Sequence, residues 1–570
     1  MSLTHASVQT AGLDQLVETH RDEIERAVAA THTREYFSAF AESPSPRVYG
    51  ETAAAEGEAA FQALLGQPFP LDQPGDGSRV GAEVSPYRLT LGVSYPHASL
   101  DQLIDASSAA LRSWRRATPA QRGAVAVEIL HRINGRAFEM AHAVMHTSGQ
   151  AFVMAFQAGG AHALDRGLEA VAYAVEEQRR HAADVLWEKP QGKRDPLRMA
   201  KTFTPVSRGI ALVIGCNTFP TWNSYPGLFA SLVTGNTVIV KPHPGAVLPL
   251  AVTVQVARQV LAEYGFDPNV VLLAAEADGE LIAGDLATHP QVKVIDFTGS
   301  ATFGNWLEDH ARQAVVYTEK SGVNSVILES TNAYRAALDN LAFTLSLYSG
   351  QMCTTTQNII VPGAGIATDE GHKSVDDLVG DLGAALDRLL GDDEKAAGVL
   401  GAVVNDAVAE RLERARRHPV AVKSRTVQVR DWPEARIVTP LVARADASNH
   451  ADLEAVSVEC FGPVSFLVTV TDRQHAVELF TSLVNEKGAL TAGVYSTDDS
   501  FLDDVREAAL LSGVALSENL TGGVFVNQTA AFSDFHGTGA NPAANATYAD
   551  GHFVAGRFRT IETRRHAGAE

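Results

Sequence analysis

The stretch Ser349-Gly350-Gln351-Met352-Cys353-Thr354-Thr355-Thr356 sets a cysteine in a turn of small and polar residues between a helical stretch and a strand. A thiol becomes a nucleophile when it is reachable and when N–H groups or positive charge stabilise its thiolate, and small neighbours allow that approach. A buried, inert thiol fits the same residues. Cys216 and Cys460 read as packing residues. Glu319, in Thr318-Glu319-Lys320-Ser321-Gly322, closes an apolar run. A carboxylate there serves as a general base or as an ordinary ion-pair partner. The segment Asp296-Phe297-Thr298-Gly299-Ser300-Ala301-Thr302-Phe303-Gly304 follows another apolar run and opens a helix. Gly299 permits a tight turn, and the Ser300 N–H and hydroxyl face the positive end of the helix, which can hold a pyrophosphate. A plain strand-to-helix turn is the alternative. Lys241, in Val238-Ile239-Val240-Lys241-Pro242-His243-Pro244, ends a third run, as a ligand-binding cation or as a surface charge. His142 and His146 have the spacing of helical zinc ligands, but the intervening Ala143-Val144-Met145 lacks the glutamate of HExxH, so they read as structural and no metal is expected.

These residues sit on a recognisable rhythm. Ile210 to Ile214, Thr237 to Val240, Val270 to Leu273, Val292 to Ile295, Val315 to Tyr317 and Val326 to Leu328 are short apolar runs, most of them separated by segments of helical length. Buried strands alternating with helices predict a parallel, doubly wound α/β sheet, which binds ligands at the carboxyl ends of its strands. A second mixed region, about 355–530, has strand candidates at Gln357 to Val361, Val464 to Val470 and Val524 to Asn527. Before the sheet, helices are predicted from Ser99 and Thr118, each with capping-box spacing, and helical pattern continues to about residue 182. Residues 1–96 read as an extension, with an amphipathic helix carrying Leu13, Leu16, Val17, Ile24 and Val28 and then a Pro- and Gly-rich stretch. It packs on the rest or forms a linker.

The chain has 570 residues, 45% apolar and 20% charged, which predicts an ordinary globular protein. A net charge of −21 argues against nucleic-acid and anionic-membrane surfaces. Three scattered cysteines make a disulfide framework improbable. The N-terminal stretch lacks a signal-peptide core and no apolar run is long enough to span a bilayer, so a cytoplasmic location is expected.

Taken together, the residues resemble the NAD(P)-dependent aldehyde dehydrogenase superfamily over about 97–530. Glu319 and Cys353 stand at the interval of that family's general base and nucleophile. Gly350-Gln351-Met352-Cys353 is similar to its cysteine signature, Val240-Lys241-Pro242 to its adenosine-ribose lysine, and Phe297-Thr298-Gly299-Ser300 to its phosphate turn. Glu459-Cys460-Phe461-Gly462-Pro463-Val464 is similar to the motif whose Glu, here Glu459, holds the nicotinamide ribose, and Phe461 is the further cofactor-binding position it implies. Within the family the chain looks most like the phenylacetic-acid-degradation group called PaaN. That likeness rests on the long extension, on Glu-Lys-Ser-Gly at Glu319, and on Cys216-Asn217-Thr218-Phe219-Pro220-Thr221-Trp222. The family places an Asn directly before Phe-Pro as oxyanion donor; here Thr218 stands there, and Asn217, the better donor, is favoured. The segment Asp534-Phe535-His536-Gly537-Thr538-Gly539 departs from the family's Pro-Phe-Gly-Gly and gives no site residue by resemblance.

The resemblance implies an aldehyde-dehydrogenase-like α/β fold: an extension (1–96), a Rossmann-type cofactor domain (97–318, with arm strands near 199–204), an α/β catalytic domain (319–530) and a tail with an oligomerisation segment (531–570). It implies oxidation of an aldehyde to an acid through a thioester on Cys353, with Glu319 activating water and Asn217 holding the oxyanion. The substrate would be an aldehyde, free or CoA-linked, and on the PaaN likeness the ring-opened CoA semialdehyde of phenylacetate breakdown. The alternatives are a dehydrogenase of broad specificity, a CoA-acylating enzyme and a non-catalytic scaffold. NADP is expected at least as readily as NAD, because Pro244 stands where the family's ribose-binding carboxylate would repel a 2′-phosphate, while Lys241 and His243 remain. Glu276 or Asp278 could restore the repulsion. A homodimer or homotetramer is expected, paired through Met199 to Thr204 and Phe553 to Thr563, where Phe558 and Ile561 would face solvent poorly.

Overall fold

The computed structural model describes residues 2–277 and 279–567, with side chains from residue 12 onward. Val271–Leu273, Thr237–Lys241, Ile210–Ile214, Val292–Thr298 and Val315–Glu319 lie side by side in that order, all parallel. Ile210–Ile214 and Thr237–Lys241 are buried throughout. That burial on both faces explains why these strands read as apolar runs rather than as alternating patterns. The order reverses between Ile210–Ile214 and Val292–Thr298, which opens a crevice at their carboxyl ends.

A second sheet runs Val420–Val422, Leu441–Asp446, Val464–Val470, Asn358–Pro362, Ser325–Leu328, Thr491–Tyr495, Ala515–Glu518. It is parallel except at its Val420–Val422 edge. Only five residues separate the last strand of the first sheet, ending at Glu319, from Ser325. The strand expected at Val524 to Asn527 does not form; Ala515–Glu518 takes the sheet edge instead. Residues 524–527 run as a loop over helix Tyr334–Ser346. There Asn340 Nδ2 donates to the Val524 carbonyl (2.6 Å), and Asn527 Nδ2 to that of Thr344 (3.1 Å).

A third, antiparallel sheet joins Asp184–Gln191, Arg194–Ser207 and Phe558–His566, with Phe558 opposite Ser207 and His566 opposite Met199. Phe553 and Phe558 are buried within the chain itself, so Phe558 needs no partner to cover it, whereas Ile561 stays half exposed. Arg557 is fully buried and forms a bidentate pair with Asp296, with Nη1 2.8 Å from Oδ2. Breaking such a pair costs about 3–5 kcal/mol, so the last strand is anchored beside the crevice.

The capping boxes of Ser99 with Gln102 and Thr118 with Gln121 are both present. The extension is no linker. Its helix, Ser2–Thr33, buries Leu13, Leu16, Ile24 and Val28 against helices Pro119–Asn134 and Ala163–Arg179. His20 Nε2 lies 2.9 Å from Glu128 Oε2, and His131 Nε2 lies 2.7 Å from Glu23 Oε2, tying helix to helix. Beyond it, the Arg34 guanidinium lies 3.9 Å over the Phe535 ring, and Phe37 meets Phe532 edge-on. Among the described residues, no helix is long and apolar enough to cross a membrane.

Candidate active site

Helix Tyr334–Ser346 ends in three consecutive residues with left-handed φ: Tyr348 (53°), Ser349 (50°) and Gly350 (63°). Only Gly350 is free of a side-chain penalty there; Tyr348 and Ser349 each cost on the order of 1–2 kcal/mol. A Cβ on Gly350 would lie 2.3 Å from the Gly462 carbonyl oxygen, so the signature glycine is also a close approach between two loops. Gln351 is buried with its amide fully used. Its Nε2 donates to the carbonyls of Tyr348 (3.1 Å) and Ala402 (3.0 Å), and its Oε1 accepts from Val404 N–H (2.8 Å). Asn324 closes the turn from the other side: Nδ2 donates to the carbonyls of Cys353 (2.8 Å) and Thr355 (3.0 Å), while Oδ1 accepts from Leu490 and Thr491. The chain therefore presents Cys353, half-buried, at a fixed place.

The structure brings Glu319 to it. This carboxylate is 3% exposed. Oε2 accepts from His536 Nε2 (2.9 Å) and from Asn223 Nδ2 (3.2 Å), whereas Oε1 has no partner among the described residues. Burial alone would push the Glu319 carboxyl up, but His536 above all, with the Cys353 thiol and Arg166, outweighs it and holds the group below its ordinary range. The Cys353 thiol moves the other way: burial, then the negative Glu319, push it well above the usual thiol value. His536 Nε2 is also 3.8 Å from Cys353 Sγ. The ring is buried, edge-on to Trp222 (4.6 Å) and stacked on Tyr548, and its Nδ1 has no partner among the described residues. Sγ, a Glu319 oxygen and a His536 nitrogen all lie within 4.8 Å of one another. Their mutual hydrogen bonds account for that closeness, and no metal is assigned to them.

His536, Asn223 and Asn324 are the residues that sequence reasoning missed. The one signal for His536 was a histidine where a family motif has glycine. Its segment is held by Arg166, fully buried, whose Nη1 donates to the carbonyls of Asp534 (3.1 Å) and Tyr548 (3.2 Å) and pairs with Glu169 (2.7 Å). The Asn217 amide donates one Nδ2–H to the Thr147 carbonyl (3.2 Å), and its Oδ1 accepts from Asn405 (3.4 Å). Cys216 and Cys460 are free thiols, both pushed up to about 11 by burial, as packing residues are. His142 and His146 stack on Phe61, and His146 bonds Ser85.

Lys241 ends its strand, and Gly299 and Ser300 follow theirs, at the carboxyl ends of two strands of the first sheet. Gly299 and the exposed Ser300 open helix Ala301–His310, with the Ser300 hydroxyl accepting from Phe303 N–H (3.4 Å). Lys241 is not the unopposed cation expected: its Nζ lies 2.6 Å from Glu276 Oε1, both nearly buried. His243 is pushed down to about 4, by burial first and by Lys241 second, so it brings no charge at neutral pH. Asp278 lies outside the described residues. Glu459 faces the Ser321 hydroxyl and the Gly322 N–H, and burial pushes its carboxyl up; Phe461 is next to it, its carbonyl 3.5 Å from Arg411. A helix N-terminus, a paired ammonium and carboxylate, and a further carboxylate are a set of groups whose chemistry fits the pyrophosphate and the two ribose diols of a dinucleotide.

The model of the aldehyde dehydrogenase family matches residues 86–537. The chain is similar to the crystal structure of an NAD-dependent aldehyde dehydrogenase from Burkholderia multivorans, at 55% identity and a TM-score of 0.95 over 97% of this chain and 99% of that one. It is similar to 1-pyrroline-5-carboxylate dehydrogenase of Bacillus subtilis (strain 168), at 23% identity over 91% of this chain and 96% of that protein. An NAD-bound 1-pyrroline-5-carboxylate dehydrogenase from Thermus shares the fold, with a TM-score of 0.72 at 18% identity over 94% of this chain and 99% of that one.

Proposed function

The chain belongs to the aldehyde dehydrogenase family, and from that premise we propose that it oxidises an aldehyde to a carboxylic acid through a thioester on Cys353. The observation that carries the reading is a buried carboxylate with one free oxygen beside a positioned thiol. Cys353 Sγ attacks the aldehyde carbon, and the developing oxyanion is met by the Cys353 N–H. Asn217 would add the second donor through the Nδ2 hydrogen that Thr147 does not take. A nicotinamide dinucleotide, when bound, supplies the hydride acceptor. Ser300 and Gly299 would hold its pyrophosphate, Lys241 with Glu276 the adenosine ribose, and Glu459 with Phe461 the nicotinamide ribose. Once the acyl group is a thioester, Oε1 of Glu319 takes a proton from water, whose oxygen attacks the acyl carbon. A base held ready for water favours hydrolysis over acyl transfer to CoA.

The expected NADP preference rested on Pro244 in place of a repelling carboxylate, with Lys241 and His243 remaining, and Glu276 was the alternative that would reverse it. With Glu276 bonded to Lys241, a ribose 2′-phosphate would meet a carboxylate, at a cost on the order of 1–4 kcal/mol. NAD is therefore the proposed cofactor. With a panel of free and CoA-linked aldehydes, kcat/KM is expected to be at least tenfold higher with NAD, about 1.4 kcal/mol. Glu276→Gln narrows that ratio. Equal use of both cofactors would sink the role of Glu276, and no oxidation of any aldehyde would sink the reading itself. The ring-opened CoA semialdehyde of phenylacetate breakdown is the proposed substrate within that panel. Its support is the Glu-Lys-Ser-Gly segment at Glu319, the extension, and the sequence from Cys216 to Trp222.

Assembly as a homodimer or homotetramer is proposed through the three-stranded arm, where Leu186, Leu197 and Ile561 are half exposed. Light scattering at micromolar concentration is expected to give at least twice the mass of the chain; a monomer overturns this.

A further inference from the structure

We propose that His536 is a catalytic residue, whose single Nε2–H serves both the Cys353 thiolate and the Glu319 carboxylate; this rests on the thioester reading above. An ionised carboxylate only accepts hydrogen bonds. The 2.9 Å contact with Glu319 Oε2 therefore places the hydrogen on Nε2. That same nitrogen lies 3.8 Å from Sγ, a distance that a small ring rotation closes. Asn223 also donates to Glu319, but among the described side chains His536 is the donor in reach of both groups.

The pocket needs such a donor. Thioester formation requires an anion on Sγ, and hydrolysis requires an anion on Glu319. The two lie side by side in a buried site, where each raises the cost of the other. Cys353 ionises by releasing its proton to solvent water, with the electron pair remaining on sulfur. The Nε2–H then turns from Oε2 toward Sγ, while Asn223 keeps Oε2. When sulfur becomes acylated it loses its charge and the N–H returns to Glu319, which is then ready to receive a proton from water. The other titratable and charged groups around the triangle are Cys216 and Glu459 on the thiol side, and Arg166 and Tyr548 on the carboxylate side. None of these supplies a bond to Sγ among the described residues. Packing keeps the ring in register. It stands edge-on to Trp222 and stacked on Tyr548, and Arg166 fixes the backbone on both sides of it.

The test is the pH dependence of Cys353 alkylation by iodoacetamide, followed by mass spectrometry on the full chain without aldehyde or cofactor. His536→Phe keeps a ring against Trp222 and Tyr548 but has no donor. Its alkylation profile should move to higher pH by about one unit, so that at a fixed pH below the midpoint the rate falls roughly tenfold. His536→Gln places an amide N–H near the Nε2 position and should restore the rate to within about threefold of wild type. His536→Ala is a second donor-less variant, read in the same way if the Phe ring is not accommodated. Profiles of the donor-less variants that coincide with wild type, or that move no further than the Gln variant, overturn the assignment. Because no aldehyde is present, that result leaves the dehydrogenase reading standing. A protein that shows the shift yet oxidises no aldehyde overturns the dehydrogenase reading and not the donor.

Discussion

Cys353→Ala abolishes aldehyde-dependent reduction of the nicotinamide, by about four orders of magnitude or more, as removal of a covalent nucleophile does elsewhere. The expectation follows from the construction of its turn. Three left-handed residues, the Gln351 amide and the Asn324 clamp all serve to hold one thiol at one point. None of them depends on the sulfur, so the fold and dinucleotide affinity should stay close to wild type. Steady-state rates together with a dinucleotide titration check both halves. Reduction at even a few per cent of the wild-type rate would show that another group carries the acyl chemistry.

Glu319→Gln separates the two half-reactions. The amide keeps the volume and an oxygen for His536 but loses the basic Oε1. Rapid mixing should show one equivalent of reduced nicotinamide per active site, followed by a steady rate lower by about 10²–10⁴, the usual contribution of a general base. The burst is the informative part. If burst and steady rate both match wild type, Glu319 is not the base; if the burst vanishes as well, the carboxylate acts before the thioester.

Much of this site was legible along the chain because each part is local. Cys353 sits in its own turn, Ser300 caps its own helix, and Glu319 ends a strand whose partner strands are buried enough to read as apolar runs. Partners brought in by tertiary packing were not legible. His536 comes to Glu319 from 217 residues away, and no spacing rule spans that distance. Glu276 reaches Lys241 across neighbouring strand ends, which sequence could offer only as an alternative. The arm strand Asp184–Gln191 is exposed on both faces, so it has no period-two apolar pattern to detect. Residues 524–527 have strand-like composition, but Asn340 takes up the Val524 carbonyl and the Asn527 side chain ties the loop to Thr344, so no sheet ladder is needed.

The distance between the thiol and its histidine also has a consequence for biosynthesis. Cys353 and His536 are 183 positions apart. At roughly 5–20 residues per second, a ribosome makes that stretch in about ten to forty seconds. During that interval the nascent chain carries the nucleophile without its donor, and without the Arg557 anchor that fastens the last strand beside the crevice. The growing polypeptide is therefore an ordinary thiol to the aldehydes around it, and competence arrives only as the final segment docks.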